Sequence, residues 1–311
     1  MRTLITHIGR LIVVPPGPVK GRAMGQIATI ETAALSIEGE KIAWIGRSGD
    51  APRGPFDQTI DAQGGCVVPG LVDCHTHTVF AGDRSGEFVQ RIGGATYEEI
   101  MKAGGGIRST MRAVRSATIE QLVEQALPRV RRMVAGGVTT LEIKSGYGLS
   151  PDDELKMLRA MAALRDKVPI EIVASYLGAH TVPPEFDGKH DSYIDAMTAD
   201  DLLGRIRDEK LAEFADVFCE RGAFSVDQSR RFLTACKRFG MTPKVHAEQL
   251  SRSGATQLAI EVGSASADHL EYVNDEDIAS MKASSTIPVL LPGCNFFIGG
   301  APAPARKMID A

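Results

Sequence analysis

The feature that most restricts the fold is an alternation, from residue 66 onward, of short β-branched runs with amphipathic helical stretches. The strand candidates are the run around Val67, Val68, Leu71 and Val72, then "GVTTLEIKSG", "PIEIVASYLGAH", "ADVFCE", "PKVHAEQ", "SADHLEY" and "STIPVLLPG". Helices are predicted between them. "SPDDELKMLRAMAALRD" has Ser150 as N-cap and Pro151 at the first helical position, and in "SVDQSRRFLTACKRFG" Ser225 and Gln228 are placed as a capping box with Gly240 as the stop. Further helices are expected from Thr118 through "IEQLVEQALPRVRRMVAGG", kinked at Pro128, near 253–262 and near 274–283. Parallel strands need long crossovers, so repeated βα units imply an α/β chain with a parallel sheet, and eight units close a barrel. The count reaches seven before the helix-like "ARKMIDA", as if a TIM-like (β/α)8 barrel stopped before its last strand. A doubly wound open sheet is the alternative, but no G-x-G-x-x-G follows the first strand.

The first 64 residues lack helical periodicity, and "ALSIEGEKIAWIG" carries a hairpin signal around Glu38, Gly39 and Glu40. The expected division is a small β-rich domain over 1–64 and a barrel over 65–311. With 43% hydrophobic residues and few aromatics, an aliphatic core is expected. A net charge of −4 without a basic block argues against nucleic acid as partner. No apolar run approaches the roughly 18 residues of a membrane span. The start of the chain, broken by His7 and Arg10, does not read as a secretory signal. Cys66, Cys74, Cys219, Cys236 and Cys294 are dispersed, as in a reduced, cytoplasmic protein.

The motif with chemistry in it is "VVPGLVDCHTHTVFAG". Residues i and i+2 of a strand share a face, so His75 and His77 aim into one space, as two ligands of one metal ion must. Three more histidines, His180, His246 and His269, also fall at or just after strand ends. Those ends open on one face of a parallel barrel, where active sites are built. His7 and His190 lie in polar contexts and are assigned nothing.

"VVPGLVDCHTH" resembles the opening of the amidohydrolase superfamily. "TVFAGDRSGEF", "ATYEEIMKAGGGIRST", "LEIKSGYGL", "YLGAHTVPPEF", "DVFCERGAFS", "VHAEQLS" and "ADHLEY" resemble the imidazolonepropionase family more specifically, from about residue 40 to the last residue. The resemblance implies an amidohydrolase-type barrel and a metal-dependent hydrolase of histidine degradation. Such an enzyme opens 4-imidazolone-5-propanoate to N-formimidoyl-L-glutamate. It implies one zinc or iron ion per chain on His75, His77 and His246, and a further aspartate ligand on an eighth strand that this sequence does not reach; Asp310 is no substitute. It makes Arg84 the partner of the substrate carboxylate, brings Tyr97 and Tyr147 to the substrate, and makes His180 and His269 the substrate-polarising and proton-transfer residues.

Gln249 stands three residues after His246 and can hydrogen-bond a ring but cannot act as general base. Proton transfer is therefore expected at His269, with Glu248 pointing to the other face. Lys144 is expected as a structural lysine, a carboxylated lysine bridging two metals being the alternative. The glycine-rich "KAGGGIRST" lacks the Lys-Ser/Thr of a phosphate loop and reads equally as a lid or an ordinary loop. A small-molecule substrate is expected as partner, and the oligomeric state is left open with a homodimer among the options. The competing functions are a related cyclic amidohydrolase, a guanine-type aminohydrolase, and an inactive remnant that binds ligand without turnover.

Overall fold

The computed structural model describes residues 1–15, 17–95, 99 and 104–311. It divides into two compact units, Met1–Gly70 with Arg306–Ala311, and Leu71–Ala305.

The first unit is a sheet of β1 (Arg2–Val13), β2 (Ala28–Glu38), β3 (Lys41–Arg47), β4 (Gln58–Asp61) and β5 (Cys66–Val67). The order is β3-β2-β1-β4, with β5 also pairing with β1. The hairpin read from the sequence is β2–β3, where Glu38 pairs with Lys41 across a two-residue turn. Gly39 takes φ +64° in that turn, a conformation glycine adopts without the usual Cβ clash. One face of the sheet buries Ile8, Leu11, Ala33 and Leu35.

The second unit carries β6 (Leu71–Asp73), β7 (Val138–Lys144), β8 (Glu171–Ala179), β9 (Phe214–Cys219), β10 (Thr242–Ala247), β11 (Ser266–His269) and β12 (Ile287–Val289). All neighbours are parallel, and the sheet follows chain order from β6 to β12 without doubling back. A doubly wound sheet reverses its order at a switch point. This sheet does not, and it is an incomplete (β/α)8-type barrel.

The helices begin where capping chemistry allows. Ser150 accepts from Asp153 N ahead of the helix Pro151–Arg165, and Thr118 with Gln121 and Ser225 with Gln228 form reciprocal capping boxes. Helices Pro151–Arg165 and Val226–Arg238 pack on β8 and β9. Among the described residues no helix is long and apolar enough to cross a membrane.

One expectation needs correction. The run Val67–Val72 is not one buried strand. It divides at Pro69 and Gly70 between β5 and β6, and Val68, Leu71 and Val72 are 54%, 54% and 62% exposed. Proline cannot donate to a ladder, and β6 is an edge strand pairing only with β7 among the described residues. The buried core is aliphatic as expected, dominated by Leu, Ile, Val, Ala and Met, but charged residues share the sheet's other face. Along β7, β9, β10 and β11, Leu141, Ile143, Ala215, Val217, Val245 and Ala267 occupy one face of the pleat. Glu142, Lys144, Asp216, Lys244, His246 and Asp268 occupy the other, and both sets are buried. Buried charge on this scale is costly unless paired, so the interior is shaped by its ion pairs.

Candidate active site

The five histidines converge. His75 and His77 follow β6, His180 follows β8, His246 lies within β10, and His269 ends β11. Ring centroids are 4.5 Å apart for His75–His246, 5.1 Å for His246–His269, 5.2 Å for His77–His180, 5.5 Å for His75–His77 and 5.6 Å for His77–His246. Two sets of donor atoms, His75–His246–His269 and His77–His180–His246, each lie within 4.8 Å of one another and share His246.

Hydrogen bonds fix which nitrogen His75 and His180 offer, while His246 and His269 have carboxylates nearby without hydrogen-bond geometry. His180 Nδ1 lies 2.9 Å from Gly146 O, and a carbonyl only accepts, so Nδ1 carries the proton and Nε2 the lone pair. Gly146 is at φ +98°, and a Cβ there would stand 3.0 Å from His180 Nδ1. His75 Nδ1 is 2.6 Å from Asp268 Oδ2, and His246 Nδ1 is 3.1 Å from Asp216 Oδ2. His269 Nδ1 is 3.9 Å from Glu271 Oε1, and His269 and Leu270 sit at φ +85° and +67°. Such backbone costs of order 1–3 kcal/mol per residue and concentrates at functional sites.

Neither set is the expected trio of His75, His77 and His246: the structure brings His75 and His77 each to His246, in different sets, and the histidines as a group suit a metal ion. His77 Nδ1 is buried with no hydrogen-bond partner among the described residues, and His77 Nε2 stands 3.4 Å from His246 Nε2. That separation is close to the distance between two nitrogens each held about 2.0–2.1 Å from one tetrahedral ion. Burial pushes His75 and His77 well below the usual histidine range, aided by the Lys144 ammonium and by His180 respectively. It lowers His180 to about 3 and also lowers His269. Neutral imidazoles are what metal ligation requires.

This state has a consequence for stability. Below about pH 6.5 an unfolded chain protonates its histidines while the folded one resists. The unfolded state then binds more protons, so stability falls as the pH drops from about 6.5 toward the His180 value of about 3. Melting of chelator-treated protein should show its highest Tm above pH 6.5 and a continuous decline below. A flat Tm between pH 7 and 4.5 would contradict the buried, neutral assignment.

The histidines form the floor of a cavity of about 810 Å³, within the range of small-molecule sites. Arg84, Tyr147 and Gln249 line it, as do the apolar side chains of Phe88, Leu250, Leu291 and Phe297. Tyr147 is buried, 5.5 Å from the His77 ring and 5.4 Å from that of His180. Arg84 makes no ion pair among the described residues: Asp83 accepts from Ser85, and Glu87 from Gly106 N. Tyr97 lies outside the described residues, as do Lys102 and Ala103 of the glycine-rich segment. The rest of that segment leads into the helix Ile107–Ser116, whose Ile107 lines the cavity. Glu248 turns away and accepts from Ser253 Oγ and the N–H groups of Ser253, Gly254 and Thr256.

Several buried carboxylates were not singled out from the sequence. Glu154 accepts from Gly146, Gly148 and Leu149 N–H and so pins the loop that carries Tyr147. Asp216, Asp268 and Glu271 contact the histidines. Asp216 and Asp268 stand as single acids within their strands, a pattern that does not by itself name their partners.

The comparisons with known proteins follow this geometry. No family model matches the chain. It is 44% identical over 312 residues to the imidazolonepropionase of Symbiobacterium thermophilum, covering 99% of this chain and 73% of that protein. With the imidazolonepropionase of Chloroflexus aggregans the identity is 46% over 322 residues, covering 99% and 75%. The chain belongs to the imidazolonepropionase family. It spans about three quarters of the length of these relatives. Solved structures support the fold of this imidazolonepropionase relative at low identity. A guanine deaminase from C. acetobutylicum superposes with a TM-score of 0.65 at 12% identity, covering 100% of this chain and 72% of that one. An adenosine deaminase from Xanthomonas campestris, solved with bound zinc, superposes with 0.66 at 14% identity, covering 99% and 67%.

Proposed function

We propose that this protein is a cytoplasmic, metal-dependent hydrolase that opens the ring of 4-imidazolone-5-propanoate to N-formimidoyl-L-glutamate in histidine degradation. The observation that carries the reading, beside the family membership, is the cavity's division of labour. Neutral histidines gather at its floor, and Arg84, a cation with no ion pair among the described residues, lines it. In this reading the 64 N-terminal residues form a small β-rich domain and residues 65–311 the hydrolase domain.

His75, His77 and His246 would hold one zinc or iron ion. When bound, that ion supplies Lewis acidity toward a poor electrophile and lowers the pKa of water toward about 7. The chain's own residues do the rest. Arg84 holds the propionate, with Tyr97 and Tyr147 against the substrate. His180, its Nδ1–H engaged by Gly146 O, has only a lone pair at Nε2, so it accepts an N–H of the substrate ring and does not polarise the carbonyl oxygen. Gln249 hydrogen-bonds the ring and leaves proton transfer to His269. A lysine enclosed by three carboxylates stays an ammonium, so Lys144 is not a carboxylated bridge between two metals.

A guanine-type aminohydrolase is the competing reading, and Arg84 has no purpose with an uncharged purine. The test is to incubate zinc- or iron-loaded protein with imidazolone propionate and, separately, guanine. Loss of the imidazolone chromophore with formation of N-formimidoyl-glutamate is expected, without ammonia release from guanine. The reverse pattern would overturn the assignment.

A further inference from the structure

Beneath the histidines the barrel interior holds an ionic cluster that none of these roles uses. Lys144, fully buried on β7, places Nζ 2.7 Å from Glu142 Oε1, 2.7 Å from Asp216 Oδ2 and 3.5 Å from Asp268 Oδ2. Lys244 on β10 lies 3.7 Å from both Glu142 and Asp268 and donates to Cys74 O at 2.9 Å. Two ammonium groups face three carboxylates, leaving one negative charge under a group of imidazoles.

The cluster is wired to the histidines through single oxygen atoms. Asp216 Oδ2 touches both Lys144 Nζ and His246 Nδ1, at 2.7 and 3.1 Å. Asp268 Oδ2 touches both Lys144 Nζ and His75 Nδ1, at 3.5 and 2.6 Å. The His75–Asp268 hydrogen bond sets the His75 tautomer and leaves Nε2 with its lone pair, whereas Asp216 stands at ion-pair distance from His246 Nδ1 without hydrogen-bond geometry and favours a proton there by its charge. Lys144 is the one cation among the described residues within 4 Å of both aspartates' Oδ2 atoms that also approach a histidine; Lys244 reaches only Asp268. Without it, Asp216 is left with no ammonium at ion-pair distance and its oxygen is free to turn from His246.

We propose that Lys144 is a positioning residue, whose ammonium fixes Asp216 and Asp268 so that they favour the Nδ1–H tautomers of His246 and His75 and leave both Nε2 atoms free to bind metal. The proposal deepens the metal-site reading and rests on it for its purpose. The arrangement on which it stands belongs to the chain's own side chains. A merely structural ion pair would tie β7, β9 and β11 together without affecting the rings.

The experiment compares parent protein with Lys144→Met, each labelled with ¹⁵N-histidine. Long-range ¹H–¹⁵N correlation in the metal-free state reads the tautomers, and competition with a chromophoric chelator reads zinc affinity. In Lys144→Met, His75 and His246 should lose their Nδ1–H preference, while His180, bonded to Gly146 O, keeps its own. Zinc affinity should fall about 10- to 100-fold. Unchanged histidine signals and zinc affinity, with only a lower Tm, would overturn the proposal. Should Lys144→Met fail to fold, Lys144→Gln decides it: the His75 and His246 tautomer preferences should weaken, and unchanged signals for both would sink the idea. Absence of zinc binding by the parent would count against the metal reading alone, since the tautomer measurement is made without metal.

Discussion

Replacing His75 and His77 together with alanine is expected to leave the protein without stoichiometric metal and to lower kcat/KM for the imidazolone substrate by at least about three orders of magnitude. The two rings are 5.5 Å apart, and each approaches His246. Removing both leaves one of the three proposed ligands. Elemental analysis of parent and variant, purified side by side, gives the first reading, and equal substoichiometric metal in both would remove the ligand assignment. The single variants separate binding from folding. His77 Nδ1 has no partner among the described residues and its Nε2 makes a long 3.4 Å contact with His246 Nε2, so His77→Ala strands no charged group and should move the Tm of metal-free protein little. His75→Ala deprives the buried Asp268 carboxylate of its 2.6 Å partner. Losing a hydrogen bond to a charged group costs about 1.5–3 kcal/mol, so this variant should melt lower even without metal. Metal loss in both, with a Tm loss in only one, is a pattern that general misfolding does not produce.

What could be read from the sequence was local. The helices with side-chain caps, Thr118, Ser150 and Ser225, announced themselves through those caps. The helices His190–Met197 and Asp200–Asp208 did not, because Lys189 and Ala199 stand at their N-caps and give no side-chain hydrogen bond. The same holds for Ser85–Ile92 and Ile107–Ser116, which start after Arg84 and Gly106. The division of Val67–Val72 between two sheets was illegible, since sheet membership depends on distant partners.

The site divides along the same line. Histidines at strand ends are visible from strand periodicity, because all C-terminal ends of parallel strands open on one face. The carboxylates that orient them are not. Asp268 reaches His75 across 193 positions of sequence. Their pairing depends on the register that places His246 opposite Asp268 and Lys244 opposite Asp216. Before that register is known, nothing marks Glu142 and Asp216 as the partners of Lys144. Only the barrel makes them interior.

Arg84→Met should cost more with the natural substrate than with any uncharged analogue, and this ties substrate identity to one side chain. Two arginines line the cavity, and their states differ. Arg91 donates Nη2–H to Phe297 O at 2.6 Å and lies over the Phe297 ring at 5.0 Å. Arg84 has no ion pair among the described residues, and its charge is felt inside the site. It is among the smaller influences holding His180 low, after burial and His246. A guanidinium so placed can take both oxygens of a propionate. Losing that pair of charge-assisted bonds costs on the order of 2–4 kcal/mol, or roughly a 30- to 1000-fold drop in kcat/KM. Arg84 is exposed, so water screens part of the charge, and the lower half of that range is the expectation. Arg84→Lys keeps the charge but not the fork and should recover only part. Metal content should stay at the parent level in both, because Arg84 is not a proposed ligand. Arg91→Met serves as the control, expected to disturb the Phe297 wall equally for charged and uncharged substrates. Equal losses for Arg84→Met on the propionate and on an uncharged ring analogue would make Arg84 a structural residue. The substrate assignment would then rest on family membership alone.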